Sequence, residues 1–147
     1  MKLKSLTLLM LTALSTNVLA TEVINHKSPY CGCCSDWSKH MQDNGFEVKD
    51  VLHDDMNRVK KQLGLKDSKL YSCHTAEING YVFEGHVPAK DVKTFLANPP
   101  HNAKGLTVPG MPMGSPGMEY GEKQESYSVY AFNEDGQVFE YSHYKGN

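Results

Sequence analysis

With 147 residues, 39% of them hydrophobic and 22% charged, the chain has the composition of one soluble globular domain, which excludes collagen-like, coiled-coil and wholly disordered classes. Fifteen Lys and Arg against 17 Asp and Glu give a formal charge of -2. The charges are scattered, with no basic stripe to neutralise a row of phosphates, so nucleic acid is not an expected partner.

The first twenty residues read as a leader rather than as fold. Lys2 and Lys4 precede an apolar run from Leu6 to Leu14, and Val18-Leu19-Ala20 sets small residues where a signal peptidase cuts. The run is well short of the roughly 20 residues that span a bilayer. Residues 1–20 are therefore expected to be a secretory signal peptide, and residues 21–147 a mature periplasmic protein in an oxidising compartment. Without Lys2 and Lys4 the charge is 13 minus 17, or -4, so no attraction to anionic membranes is expected, and the mature chain is read as a monomer.

Val23-Ile24 predicts a short strand, and Cys31-Gly32-Cys33-Cys34 opens a helix in which Trp37 and Met41 share one face and Gly45 caps the end. Phe46, Val48 and Val51-Leu52 predict a second strand. Asp54 or Asp55 caps a second helix through Met56, Val59 and Leu63, ended by Gly64. Asn79-Gly80 is a two-residue hairpin turn between arms at about Thr75–Ile78 and Tyr81–Glu84, because both central positions of a type I′ turn need positive φ. Pro88 starts a third helix that buries Val92, Phe95 and Leu96, and Pro99-Pro100 stops it. The expected class is α/β, a thioredoxin-like β-α-β-α-β-β-α arrangement over residues 21–100.

Residues 101–147 are expected to be an extension packed on the same domain. Eight of the seventeen residues from Gly105 to Gly121 are Gly or Pro, so this stretch is expected to be a rigid loop, neither helix nor central strand, carrying Met111, Met113 and Met118. Ser126–Phe132 and Gln137–Tyr144 predict a closing hairpin around Asn133-Glu134-Asp135-Gly136. A loop and a hairpin bury too little apolar surface to stand alone.

Cys31, Cys33 and Cys34 at a helix start carry the strongest chemical signal. The positive end of the helix dipole favours the thiolate, which is both nucleophile and metal ligand. The fourth thiol follows from the hairpin register. Counting outward from Asn79-Gly80 pairs Thr75 with Glu84, His74 with Gly85 and Cys73 with His86, so Cys73 and His86 are expected to oppose each other. An antiparallel third strand would bring them to the end of the first, beside Cys31.

Several chemistries fit that convergence. Two disulfides would staple the fold, although a bond between neighbours Cys33 and Cys34 would be strained. Zinc takes four Cys and His ligands and has little need of methionine. Thiolate, thioether and imidazole together form the softest set and favour Cu(I) or a Cu(I)/Cu(II) couple at Cys31, Cys33, Cys34, Cys73 and His86, with Met111, Met113 and Met118 as further candidate ligands. Met41 and Met56 have the spacing of core filler. His26 and His74 are candidates to support the ligands, while His40, His53, His101 and His143 carry no motif.

Together these segments resemble a known family. Cys31-Gly32-Cys33-Cys34 after Lys27-Ser28-Pro29, Ser72-Cys73-His74-Thr75, Glu84-Gly85-His86-Val87-Pro88, Val108-Pro109-Gly110-Met111-Pro112 and Gly114-Ser115-Pro116-Gly117-Met118-Glu119 closely match the copper-resistance proteins called CopG. The resemblance spans about Lys27 to Glu119. It implies a periplasmic thioredoxin-like domain with a C-terminal extension, in which the C-x-C-C cysteines bind copper as a thiolate-bridged cluster of more than one ion. A role in copper tolerance is implied, with interconversion of Cu(I) and Cu(II). A periplasmic partner for electrons or copper is expected beside it. The competing reading is a thiol-disulfide oxidoreductase using Cys31 and Cys34; against it, no proline stands at Ser72–Thr75, where such enzymes place one beside the dithiol.

Overall fold

The computed structural model describes residues 20–147, so the leader expected over residues 1–20 lies, apart from Ala20, outside them. Among the described residues no helix is long and apolar enough to cross a membrane.

Among the described residues seven strands form one mixed sheet, flanked by three helices. In chain order the elements are β1 (Glu22–Lys27), α1 (Gly32–Asp43), β2 (Glu47–Leu52), α2 (Met56–Gln62), a 3-10 turn (Ser68–Leu70), β3 (Thr75–Ile78), β4 (Tyr81–Glu84), α3 (Ala89–Ala97), β5 (Ala103–Thr107), β6 (Tyr127–Asn133) and β7 (Val138–Tyr144). The spatial order is β2-β1-β3-β4-β5-β6-β7. Strand β1 runs parallel to β2 and antiparallel to β3, while β4 runs parallel to β5.

Alternation along the strands divides the interior into two layers. Ala76, Ile78, Phe83, Leu106 and Val129 face the larger core with Trp37 and Met41 of α1 and Val92 and Phe95 of α3. Val82 and Phe132 point the other way, against Leu65, Leu63, Leu70 and Tyr71. Trp37, Met41 and Phe95 are fully buried, as the helical spacing predicts, and so is Phe83 on β4. Met56 is only half-buried.

The hairpin register is the one counted from the turn. Thr75 pairs with Glu84, Ala76 with Phe83, Glu77 with Val82 and Ile78 with Tyr81. Asn79 and Gly80 take φ of 51° and 81°, the left-handed values a type I′ turn requires.

One expectation fails. Gly105–Thr107 is not loop but part of β5, between β4 and β6 in the sheet interior. The glycine that argued against a strand is what permits it: a Cβ on Gly105 would lie 1.6 Å from the Val82 carbonyl oxygen. Only a residue without a side chain lets β5 approach β4 at this point. The sheet then continues through β6 and β7, so the chain beyond Pro100 adds three strands to the structure formed by its first part.

Candidate metal centre

The C-terminal end of β1, the first turn of α1 and the open end of the β3–β4 hairpin meet at one place. Antiparallel pairing sets His26 beside Thr75, so the residues before β3 lie next to those after β1. Cys31 occupies the N-cap of α1, with Cys33 and Cys34 in its first turn. The sulfurs of Cys31, Cys33, Cys34 and Cys73 all lie within 4.8 Å of one another, although Cys73 is distant in sequence.

The four thiols are not equivalent. Cys31 and Cys34 are joined by a disulfide, whereas Cys33 and Cys73 are free. Cys33 Sγ lies 3.5 Å from Cys31 Sγ and 3.8 Å from Cys73 Sγ, which makes it the link between the pairs. Cys34 is fully buried, and the other three are half-buried.

Cys73 meets His86 as the register requires, with Sγ 3.0 Å from Nε2. The other ring nitrogen, Nδ1, is 2.8 Å from the Pro116 carbonyl. A carbonyl only accepts, so Nδ1 carries the proton and Nε2 presents its lone pair to the thiol. Such a partner on the far nitrogen fixes tautomer and ring orientation for metal ligation. Burial lowers the His86 pKa, opposed by the Pro116 bond and by Glu119. The neutral, ligating form is thereby favoured.

His74 forms the second imidazole of the group. Its Nδ1 is 3.5 Å from Cys73 Sγ, and Cys73, His74 and His86 form a close trio of their own. Burial first, and then the neighbouring His86, Lys60 and Lys27, hold its pKa well below the ordinary imidazole value. Its Nε2 has no hydrogen-bond partner. Trp37 does more than pack α1: its ring lies 4.6 Å from that of His74, and its Nε1 donates to the Val87 carbonyl at 2.9 Å.

Burial, reinforced by Cys33, pushes the Cys73 thiol up to about 12. Cys73 therefore stays protonated near neutral pH.

The Gly/Pro/Met-rich stretch closes over this group through its backbone. Gly117 packs on the first turn of α1 with φ of +85°, and a Cβ there would lie 2.6 Å from the Cys33 carbonyl and 2.8 Å from the Trp37 nitrogen. That close approach delivers the Pro116 carbonyl to His86. Ser72 Oγ donates to the Gly110 carbonyl and ties down the other end of the loop. Met111 is 54% exposed, and Met113 and Met118 are half-buried.

One expectation about a neighbouring residue changes. His26 does not support the cysteines, because its Nδ1 pairs with His53 Nε2 at 2.8 Å and its Nε2 with Glu77 Oε1 at 2.9 Å. Behind the hairpin lies a buried pair that sequence reasoning missed. Lys60 Nζ is 2.6 Å from Glu84 Oε1 and 3.0 Å from Thr75 Oγ1, and the Ser72 amide donates to Glu84 Oε1 at 2.6 Å. The pair thus fixes the backbone immediately before Cys73. Its signal was the Thr75–Glu84 register pair, which puts a carboxylate on a buried strand position and requires a partner.

A family model described as a protein of unknown function, DUF411, matches residues 70–118. No curated protein matches the chain. Two solved structures of copper resistance protein CopG do, each at 41% identity. Form 2 covers 86% of this chain and 99% of its own with a TM-score of 0.80; form 1 covers 87% and 100% with 0.81.

Proposed function

The chain belongs to the CopG family of copper resistance proteins, and we propose that it is a periplasmic protein that captures copper in a thiolate-bridged site of more than one ion. Cys31, Cys33, Cys34 and Cys73 with His86 are its ligands, and His74 and the thioethers of Met111, Met113 and Met118 complete it. The observation that carries this reading is the convergence of four sulfurs within 4.8 Å, one of which, Cys73, faces the Nε2 lone pair of His86.

In this reading the soft ligands select the ion. Thiolates stabilise Cu(I), whereas neutral imidazole also accepts Cu(II), so a mixed set can pass one electron without losing the metal. Reduction of the Cys31–Cys34 bond frees two more thiols beside Cys33 and Cys73, and the four together are enough to bridge several Cu(I) ions. Loading displaces the Cys73 proton, so uptake is tighter at higher pH. The protein works as a soluble monomer, and electrons or copper pass to a periplasmic partner.

Titrating Cu(I) anaerobically against a competing chelator tests the reading. The reduced protein binds more than one ion, and the Cys31→Ser/Cys33→Ser/Cys34→Ser variant loses that capacity. Binding as tight and as numerous in the variant overturns it.

The Cys31–Cys34 bond favours a second reading, a general thiol-disulfide oxidoreductase. Insulin reduction by the copper-free protein separates the two, because a copper-holding protein is nearly inactive in that assay.

A further inference from the structure

The four thiols divide into a pair that is bonded and a pair that is not. Cys31 and Cys34 have Cα atoms 5.4 Å apart, inside the roughly 4.4 to 6.8 Å range that a disulfide spans, so the bond forms without moving the helix. Cys33 and Cys73 stay free, 3.8 Å apart at sulfur, with His86 Nε2 3.0 Å from Cys73. A ligand set of two sulfurs and one nitrogen therefore persists when the other two sulfurs are oxidised.

We propose that the Cys31/Cys34 dithiol is the electron source that reduces Cu(II), and that Cys33, Cys73 and His86 receive the Cu(I) formed. This rests on the copper-binding reading above and assigns the thiols different roles within it. The step balances as two Cu(II) plus two thiols giving two Cu(I), one Cys31–Cys34 disulfide and two protons. Each electron passes in turn through Cys33, whose sulfur lies 3.5 Å from Cys31 and 3.8 Å from Cys73. The first Cu(I) is held by the free pair and handed on before the second is formed.

The return step needs an external dithiol protein. Its thiolate attacks Cys31, the half-buried sulfur of the bond, and Cys34, fully buried, leaves as thiolate and takes up a proton. The second thiol of the donor then resolves the mixed disulfide and carries the disulfide away. The burial difference sets that direction, because a reductant of protein size can reach one sulfur and not the other.

The test uses the full mature chain, fully reduced and anaerobic, with copper(II) sulfate added in the presence of a chromogenic Cu(I) chelator. Cu(I) is read by absorbance, lost thiols by alkylation, and the new bond by mass spectrometry of digested protein. The expected result is one thiol lost per Cu(I) formed, up to two, with the bond mapped to Cys31–Cys34. Added dithiol reductant restores a second round. Protein whose Cys31–Cys34 bond is already formed is expected to reduce no Cu(II), while still binding Cu(I) supplied as such. Cu(I) formation without loss of these two thiols, or a bond mapped to Cys33–Cys73, overturns the inference. If Cu(I) supplied directly is not bound by either form, the copper-binding reading itself falls; if it is bound but the dithiol stays intact under Cu(II), only the electron-source role does.

Discussion

Cys73 and His86 face each other across the open end of the β3–β4 hairpin, Sγ to Nε2 3.0 Å, with the Pro116 carbonyl holding the opposite ring nitrogen. The two-residue turn at Asn79-Gly80 sets the register out to Thr75–Glu84, and one further backbone bond, from the Gly85 amide to the His74 carbonyl at 2.9 Å, carries it toward this pair. If the pair ligates copper, His86→Ala removes one donor and leaves the thiols in place. Cu(I) affinity is expected to fall at least 10- to 100-fold, the range that loss of even a supporting partner produces. Competition against a Cu(I) chelator measures this; unchanged affinity would remove His86 from the ligand set.

Gly117→Ala tests the loop's role. Its Cβ meets the backbone of Cys33 and Trp37, and φ of +85° is strained for any side chain, so loop and helix must part. A loss of about 1–3 kcal/mol in urea denaturation is expected, together with weakened copper binding as the Pro116 carbonyl leaves His86. Gly110→Ala has nothing within 4 Å of its new Cβ, so any effect there reports backbone strain alone.

The copper-free protein should lose stability as pH falls through about 6.5, the pKa of an unfolded imidazole. Burial lowers the pKa of both His74 and His86, so the unfolded chain binds protons that the folded one refuses, and the stability is fully present only above that value. Glu84, raised by its burial, contributes the opposite slope. The informative comparison is therefore wild type against His74→Phe by urea midpoint at pH 8 and pH 5.5. The difference between the two pH values is expected to shrink in the variant, and an equal or larger difference contradicts the assignment.

Lys60→Met leaves the Glu84 carboxylate buried without its cation. Breaking one side of such a pair costs roughly 3–5 kcal/mol, whereas replacing both partners is often nearly neutral. Lys60→Met with Glu84→Gln should therefore recover much of the loss in thermal unfolding. A double variant no better than the single one would show that the pair's worth lies in placing Ser72 rather than in charge.

Much of the site was legible because it depends on local rules. Hairpin register follows from turn chemistry, which is how Cys73 and His86 could be paired across thirteen positions of sequence. The α1 cysteines announced themselves by their spacing. What could not be read was non-local. Gly105 looked like a loop residue because its use, letting β5 lie against the Val82 carbonyl, is visible only once β4 is its neighbour. The register marks Glu84 as needing a partner, but Lys60 looks like a surface charge until α2 brings it to the hairpin. His26 stands near the cysteines in sequence, yet strand alternation sends it to His53 and Glu77. The methionines marked a loop correctly described as Gly/Pro-rich after Thr107, and what could not be read was that its backbone, through the Pro116 carbonyl, holds His86.

The most direct test of the central claim is the metal content and thiol count of protein isolated from the periplasm under anaerobic conditions. The account predicts more than one copper per chain, with the four cysteines reduced and shielded from alkylation until the metal is stripped. One zinc per chain, or no metal with all four cysteines in disulfides, would contradict it.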